Sequence, residues 1–243
     1  MAGIFDFANP TRFMSLSRAL LPWFVAIAAG ALTAGLWLGF RAPPDYQQGD
    51  TVKIMFVHVP AAWVAMMAYG ALAVASLLSL VNRHPLADVA AKTAAPLGAL
   101  FTFLALVTGS LWGKPMWGTY WVWDARLTSF LVLFFLYLGY IALWNAIEDE
   151  TRAARICAIL ALVGAVNLPI IEFSVEWWTT LHQGESIFVK GGPLIAAVFL
   201  WPLGLMALGY TMLFFSLWLV RIRTEILERR IRTLLLNAAE TGS

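Results

Sequence analysis

Long apolar runs separated by short polar stretches dominate the chain, without the strict alternation that marks a half-buried strand. Six runs reach membrane-crossing length, at about residues 20–40, 59–81, 94–112, 127–147, 156–175 and 193–220. Each approximates the roughly 20 residues that carry a helix across the hydrocarbon of a bilayer. Backbone groups cannot stay unpaired in lipid, and barrel-type alternation is missing, so the runs predict helices. The expectation is an all-α integral membrane protein: one six-helix domain spanning residues 1–243, embedded in the lipid bilayer. Small residues in "AIAAGALTAG" (26–35) and "AYGALAVAS" (68–76) suit close helix contacts. Pro96 and Pro169 stand inside spans as candidate breaks.

Composition agrees, with 61% hydrophobic and 12% charged residues among 243. The first span is too long for a signal-peptide core and no small-x-small site follows it, so it reads as an uncleaved anchor. Cys157 is the single cysteine, which excludes an internal disulfide and any Cys-x-x-Cys-His haem-attachment motif. No phosphate-cradling glycine loop, catalytic signature or nucleic-acid-binding pattern is present.

Six spans put both termini on one side and sort the loops into two sets. Arg41, Lys53, Lys114, Arg126 and Lys190 fall on the side away from the termini, and the other eleven of the sixteen basic residues on the terminal side. The positive-inside rule then places both termini in the cytoplasm. The three loops following spans one, three and five face outward together. The tail from 221 to 243 begins "RIRTEILERRIRTLLLN", with apolar residues at helical spacing among basic ones. It reads as a cytoplasmic amphipathic segment that lies along the membrane or docks a partner.

The middle outward loop is "WGKPMWGTYWVWDARLTS" (112–129). Gly113, Pro115 and Gly118 predict an interruption of the helix, and Trp117 and Trp121 share a face if a short helix forms after Gly118. An interfacial belt spreads its aromatics over all helix ends. Trp112, Trp117, Tyr120, Trp121 and Trp123 instead crowd one loop, as a platform for a large planar ligand requires. His58, just before Val59-Pro60 at the mouth of the second span, and His182, after Trp177 and Trp178, fall on the same side. Two such imidazoles suit the axial positions of a haem iron. His84 falls on the cytoplasmic side as a loop residue. Arg126 or Lys114 supplies a cation for the propionates, with headgroup contact equally open for Lys114. Asp124 either caps the fourth helix or orients a ligand side chain, and Glu172 either supports the site or reaches water.

With "HVPAAW", "APPDYQQGD", "VNLPII" and "SVEWWTTLHQG" in order around it, this tryptophan-rich loop resembles the WWD signature of the haem-handling membrane proteins of cytochrome c biogenesis. Over roughly residues 10–220 the chain is similar to the cytochrome c maturation protein C (haem exporter protein C) family. The resemblance implies haem b bound with iron ligands at His58 and His182, and with Trp117, Gly118, Trp121, Trp123, Asp124 and Arg126 around it. It further implies a bacterial inner membrane and handover of haem to a periplasmic chaperone, cytochrome c maturation protein E. An ABC ATPase and its membrane subunit (cytochrome c maturation proteins A and B) and a small single-span protein (cytochrome c maturation protein D) are the implied company. Some members carry histidine where this chain has Glu172, so that position is not read as an iron ligand. Two other readings stand beside this one. A haem-conducting channel predicts broken or polar helices at mid-membrane, and a cytochrome b-type electron carrier predicts histidine pairs facing each other within the spans.

Overall fold

The computed structural model describes residues 9–84, 86–184, 186–187 and 189–241, with side chains to residue 239. The last two residues of the expected cytoplasmic tail therefore lie outside the described residues. Seven helices follow one another: α1 (Pro10–Arg41), α2 (Met55–Asn82), α3 (Ala87–Trp117), α4 (Ala125–Ala146), α5 (Glu150–Gly164), α6 (Asn167–Trp177) and α7 (Ala197–Thr241). A 3₁₀ turn, Asp50–Ile54, leads into α2. No sheet occurs among the described residues; Asp45 and Gly49 form an isolated bridge. Six segments are long and apolar enough to cross a membrane, α5 and α6 together making the fifth.

Helix α2 is central, packing on α3, α5 and α7, while α1 lies along α7 and α4 packs on α3, α5 and α6. Lipid offers no hydrophobic drive between helices, so small residues let the backbones close up. The stripe Ala28, Ala31, Gly35 and Gly39 is the buried face of α1, as the small-residue pattern predicts. A Cβ on Gly35 would stand 2.9 Å from the Met206 side chain, and one on Gly39 would stand 2.7 Å from Phe56. Deeper in, Tyr137 donates its hydroxyl to the Ala65 carbonyl at 2.8 Å and meets Tyr69 edge-on at 5.0 Å. Gly98 leaves room for the Tyr137 ring and Gly164 for the Tyr69 hydroxyl.

Helix ends are set by local chemistry. Asn9 accepts from Thr11 N with Pro10 behind it, Asp124 accepts from Leu127 N, and Asp149 from Arg152 N. Gly118, at φ +77°, ends α3 in the left-handed conformation. Two expectations are corrected here. Gly113 and Pro115 do not interrupt the helix: α3 runs five residues past the predicted end, and Gly113 instead lies under the Trp117 indole, 3.0 Å from where its Cβ would be. Nor does a helix follow Gly118, so Trp117 and Trp121 share no helical face. Pro96 lies inside continuous α3, whereas the fifth span does change helix just ahead of Pro169.

At the end of the bundle opposite the tryptophan-rich loop, ion pairs lock the helices. Lys92 meets Glu225 at 2.7 Å, Arg229 meets Asp88 at 2.8 Å and Glu225 at 3.0 Å, and Arg232 pairs with Glu150. Arg223 donates to the Met14 carbonyl and to Ser17 Oγ, both at 3.1 Å. The tail is the continuation of α7, with Ile222 and Ile226 packed on Leu86 and Val89.

Gly98→Ala is expected to cost about 1–3 kcal/mol, because the new methyl meets a buried ring that is itself hydrogen-bonded. Gly70→Ala, where no atom stands within 4 Å of a Cβ, is expected to be neutral or slightly stabilising. Thermal unfolding of both variants in detergent checks the contrast.

Candidate functional site

The loops that follow α1, α3 and α6 meet at one end of the bundle. Trp112 Nε1 donates to Gln48 Oε1 at 3.0 Å, joining the first loop to α3. Leu181 N donates to Asp124 Oδ2 at 3.3 Å, joining the third loop to the second. His58, His182, Trp112, Trp117, Gly118, Trp121, Trp123, Asp124 and Arg126 all lie in this region, although they divide into groups with different partners.

His58 is the fourth residue of α2, because the helix begins at Met55 rather than after the histidine. Pro60 is thus six residues into the helix instead of in its first turn. The half-buried His58 ring turns toward α3. Its Nδ1 stands 3.0 Å from the Ala105 carbonyl and 3.2 Å from Thr108 Oγ1. A carbonyl oxygen only accepts, so the ring proton sits on Nδ1 and the Nε2 lone pair is left free. Gly109 makes the position possible, since a Cβ there would lie 2.8 Å from His58 Cε1. Trp112 meets the ring edge-on at 5.8 Å.

His182 is held differently. Its ring lies edge-on to Trp117 at 4.9 Å, and its buried Nδ1 has no hydrogen-bond partner. Asp124 Oδ2 stands 3.8 Å from that nitrogen, a charge contact rather than a hydrogen bond. Burial keeps the His182 imidazole below the ordinary histidine range; the Asp124 charge opposes the shift and the Arg126 charge reinforces it. The ring is accordingly neutral at neutral pH.

Asp124 fills both roles left open by the sequence: Oδ1 caps α4 through Leu127 N at 2.8 Å, while Oδ2 faces the His182 loop. Trp121 and Trp123 meet edge-on at 5.5 Å. Trp123 is 75% exposed, whereas Trp121 hides an Nε1 with no partner. Arg126 spends Nη1 on the Ile171 and Glu172 carbonyls at 2.8 and 3.2 Å. Lys114 donates to the Gly118 carbonyl at 2.9 Å and lies over Tyr120. Both cations are engaged with protein groups, and Glu172 is exposed. Gly118 serves the backbone, its N–H donating to the Lys114 carbonyl. Phe173 and Trp177 stack at 5.4 Å beside this end, and Trp178 meets Trp177 edge-on.

Sequence reasoning missed Gln48, Ala105, Thr108 and Gly109, the groups that hold Trp112 and His58. Only "APPDYQQGD", which contains Gln48, drew notice, and no pattern in it indicates a hydrogen bond to Trp112, 64 positions away.

A haem fits the donors present. Two half-buried imidazoles have Nδ1 turned to protein oxygen, so Nε2 is the nitrogen of each ring that remains to take a ligand. Among the described residues no three His, Cys, Asp or Glu side chains converge to hold a bare metal ion. Iron in a porphyrin brings four equatorial nitrogens of its own and needs only axial ligands.

The fold and this end of the bundle define a six-span membrane protein with paired histidines beside a tryptophan-rich loop. Residues 3–237 match the family model described as "Heme exporter protein C". The chain is 60% identical to Heme exporter protein C of Bradyrhizobium diazoefficiens, over 95% of this chain and 88% of that one. It is 50% identical to that of Paracoccus denitrificans over 96% and 97% of the two chains, and 48% identical to that of Escherichia coli K12 over 90% and 89%. The chain belongs to the Heme exporter protein C family.

Asp124→Asn is expected to keep the helix cap and remove the charge facing His182, lowering the His182 pKa further at nearly unchanged stability. Asp124→Ala loses the cap as well, at about 1 kcal/mol. Imidazole NMR titration and thermal unfolding separate the two effects. Gly109→Ala should push the His58 ring off the Ala105 carbonyl and cost about 1 kcal/mol, read from the His58 NMR signals and from thermal unfolding.

Proposed function

We propose that this chain handles haem for cytochrome c maturation, binding haem b at the outer face of the bacterial inner membrane and presenting it to the periplasmic chaperone cytochrome c maturation protein E. The relatives' name, Heme exporter protein C, supports the haem-handling part of this reading. The observation that carries the site is the restraint of both imidazoles from behind, His58 by the Ala105 carbonyl and His182 by the Asp124 carboxylate. When bound, haem brings an iron with two open axial positions and a flat apolar ring.

The chain's own residues supply the rest. Nε2 of His58 and of His182 would hold the haem iron. Indoles of Trp112, Trp117 and Trp121 give the ring edges an apolar setting, and exposed Trp123 marks the side from which a partner approaches. Arg126 and Lys114 keep unused N–H donors that face propionates only if they share their present carbonyl partners. Uptake and release require no bond-making by the protein beyond ligand exchange at iron. The proposed company is the ABC ATPase and membrane subunits, cytochrome c maturation proteins A and B, with the small single-span cytochrome c maturation protein D. Electron transfer through the bilayer finds no support, because His58 and His182 lie at one end of the bundle rather than in pairs along it.

The purified protein is expected to carry a non-covalent b-type Soret band, weakened in His58→Ala and in His182→Ala. A full haem complement in the double variant would sink the ligation. Trp123→Ala should lower haem transfer to the purified chaperone while thermal stability holds, since the indole is largely exposed; unchanged transfer would leave it a membrane anchor.

A further inference from the structure

The fifth span passes from α5 to α6 without leaving right-handed helical backbone. Ala165 and Val166 have φ/ψ of −62/−22° and −59/−24°, the tighter 3₁₀ range. Val166 N donates to the Val163 carbonyl at 3.3 Å and Leu168 N to the Ala165 carbonyl at 3.1 Å, three-residue spacings in place of four. Pro169 explains the change, since it lacks an N–H, its ring crowds the carbonyl four residues back and it disfavours helix in the residue before it. A short 3₁₀ join is a weak point along a helix axis, so α6 takes its position from what it touches rather than from α5.

What it touches is α4. Asn167, only 9% exposed, donates Nδ2 to the Ser129 carbonyl at 2.9 Å. Further along, the Ile171 and Glu172 carbonyls accept from Arg126, and past the end of α6 Leu181 N donates to Asp124. Three ties thus run from residues 124–129 to successive points on α6 and its exit, and the next residue is His182. The Asn167 tie is the deepest of the three. Within a hydrocarbon layer its amide has no water to fall back on, so losing the Ser129 carbonyl leaves a buried donor unpaired.

We infer that Asn167 is a positioning residue for His182: by pinning the start of α6 to the Ser129 carbonyl, it fixes the arm that presents the second imidazole. The inference rests on the haem reading for its purpose, and on the fold alone for its mechanics.

Hydrogen exchange on the full chain in detergent, without haem, tests the mechanics. In Asn167→Ala, peptides covering residues 177–184 should exchange roughly five- to tenfold faster, the loss expected for one buried hydrogen bond, while peptides around His58 stay unchanged. Asn167→Gln, which keeps the amide, should recover part of the protection. In the haem-loaded ferric protein, Asn167→Ala should show a high-spin fraction that added imidazole returns to low spin, and His182→Gly should show the same. Unchanged exchange over 177–184, or an equal rise throughout the chain, overturns the inference. If Asn167→Ala does not fold, Arg126→Gln removes the next tie along α6, and absence of the same local loss overturns it instead. A wild-type haem spectrum in His182→Gly together with faster local exchange in Asn167→Ala would defeat the ligation and leave the positioning role standing.

Discussion

The cap and first residues of α4 organise the end of the bundle that carries the site, because Asp124, Arg126 and Ser129 each serve a group from elsewhere. Asp124 closes its own helix with one oxygen and turns the other toward the His182 loop; Arg126 and Ser129 hold α6. Polar groups near or inside hydrocarbon have no solvent to return to, so every tie between elements must be made by protein on both sides. That demand concentrates the ties to α6 and to the third outward loop onto the six residues 124–129. Elsewhere in the bundle the close contacts are made by alanine, glycine and rings, as at Gly98 beneath Tyr137.

The two histidines are restrained by different means. His58 donates to a helix carbonyl at 3.0 Å and packs where a Cβ on Gly109 would stand 2.8 Å from its ring. His182 stands on a loop, 3.8 Å from a carboxylate, with its nitrogen unpaired. In the proposed haem site one ligand is therefore rigid and the other adjustable.

The spans were legible because bilayer thickness imposes a length that composition alone reveals, and the small-residue stripe of α1 because close packing tolerates little else there. His58 and His182 stood out as two of only three histidines, and Trp117 and Asp124 as members of one loop dense in aromatic and polar residues. Boundaries were less legible. Pro115 was expected to stop α3, yet a proline in a last turn removes only one donor, and the true stop is Gly118 with its positive φ. The helix expected after Gly118 is absent, so the four-residue spacing of Trp117 and Trp121 had no bearing on which face they share. The supports of His58 were out of reach, since Ala105 and Thr108 lie 47 and 50 residues away and carry no sign of that task. The fifth span's proline was read correctly as a point of weakness, while the amide two residues ahead of it became meaningful only once its partner on α4 was visible.

Helix α7 runs for 45 residues, about 68 Å at 1.5 Å per residue, or more than twice the thickness of the hydrocarbon. It carries α1 along one side and is tied near its far end to α3 and α5 by Arg229 and Arg232. Such an element behaves mechanically as a strut clamped to its neighbours at the end opposite the tryptophan-rich loop and continuing to the segment just beyond the third outward loop. Torque applied near its far end would travel along one helix as far as Pro202, where the missing N–H makes the first joint.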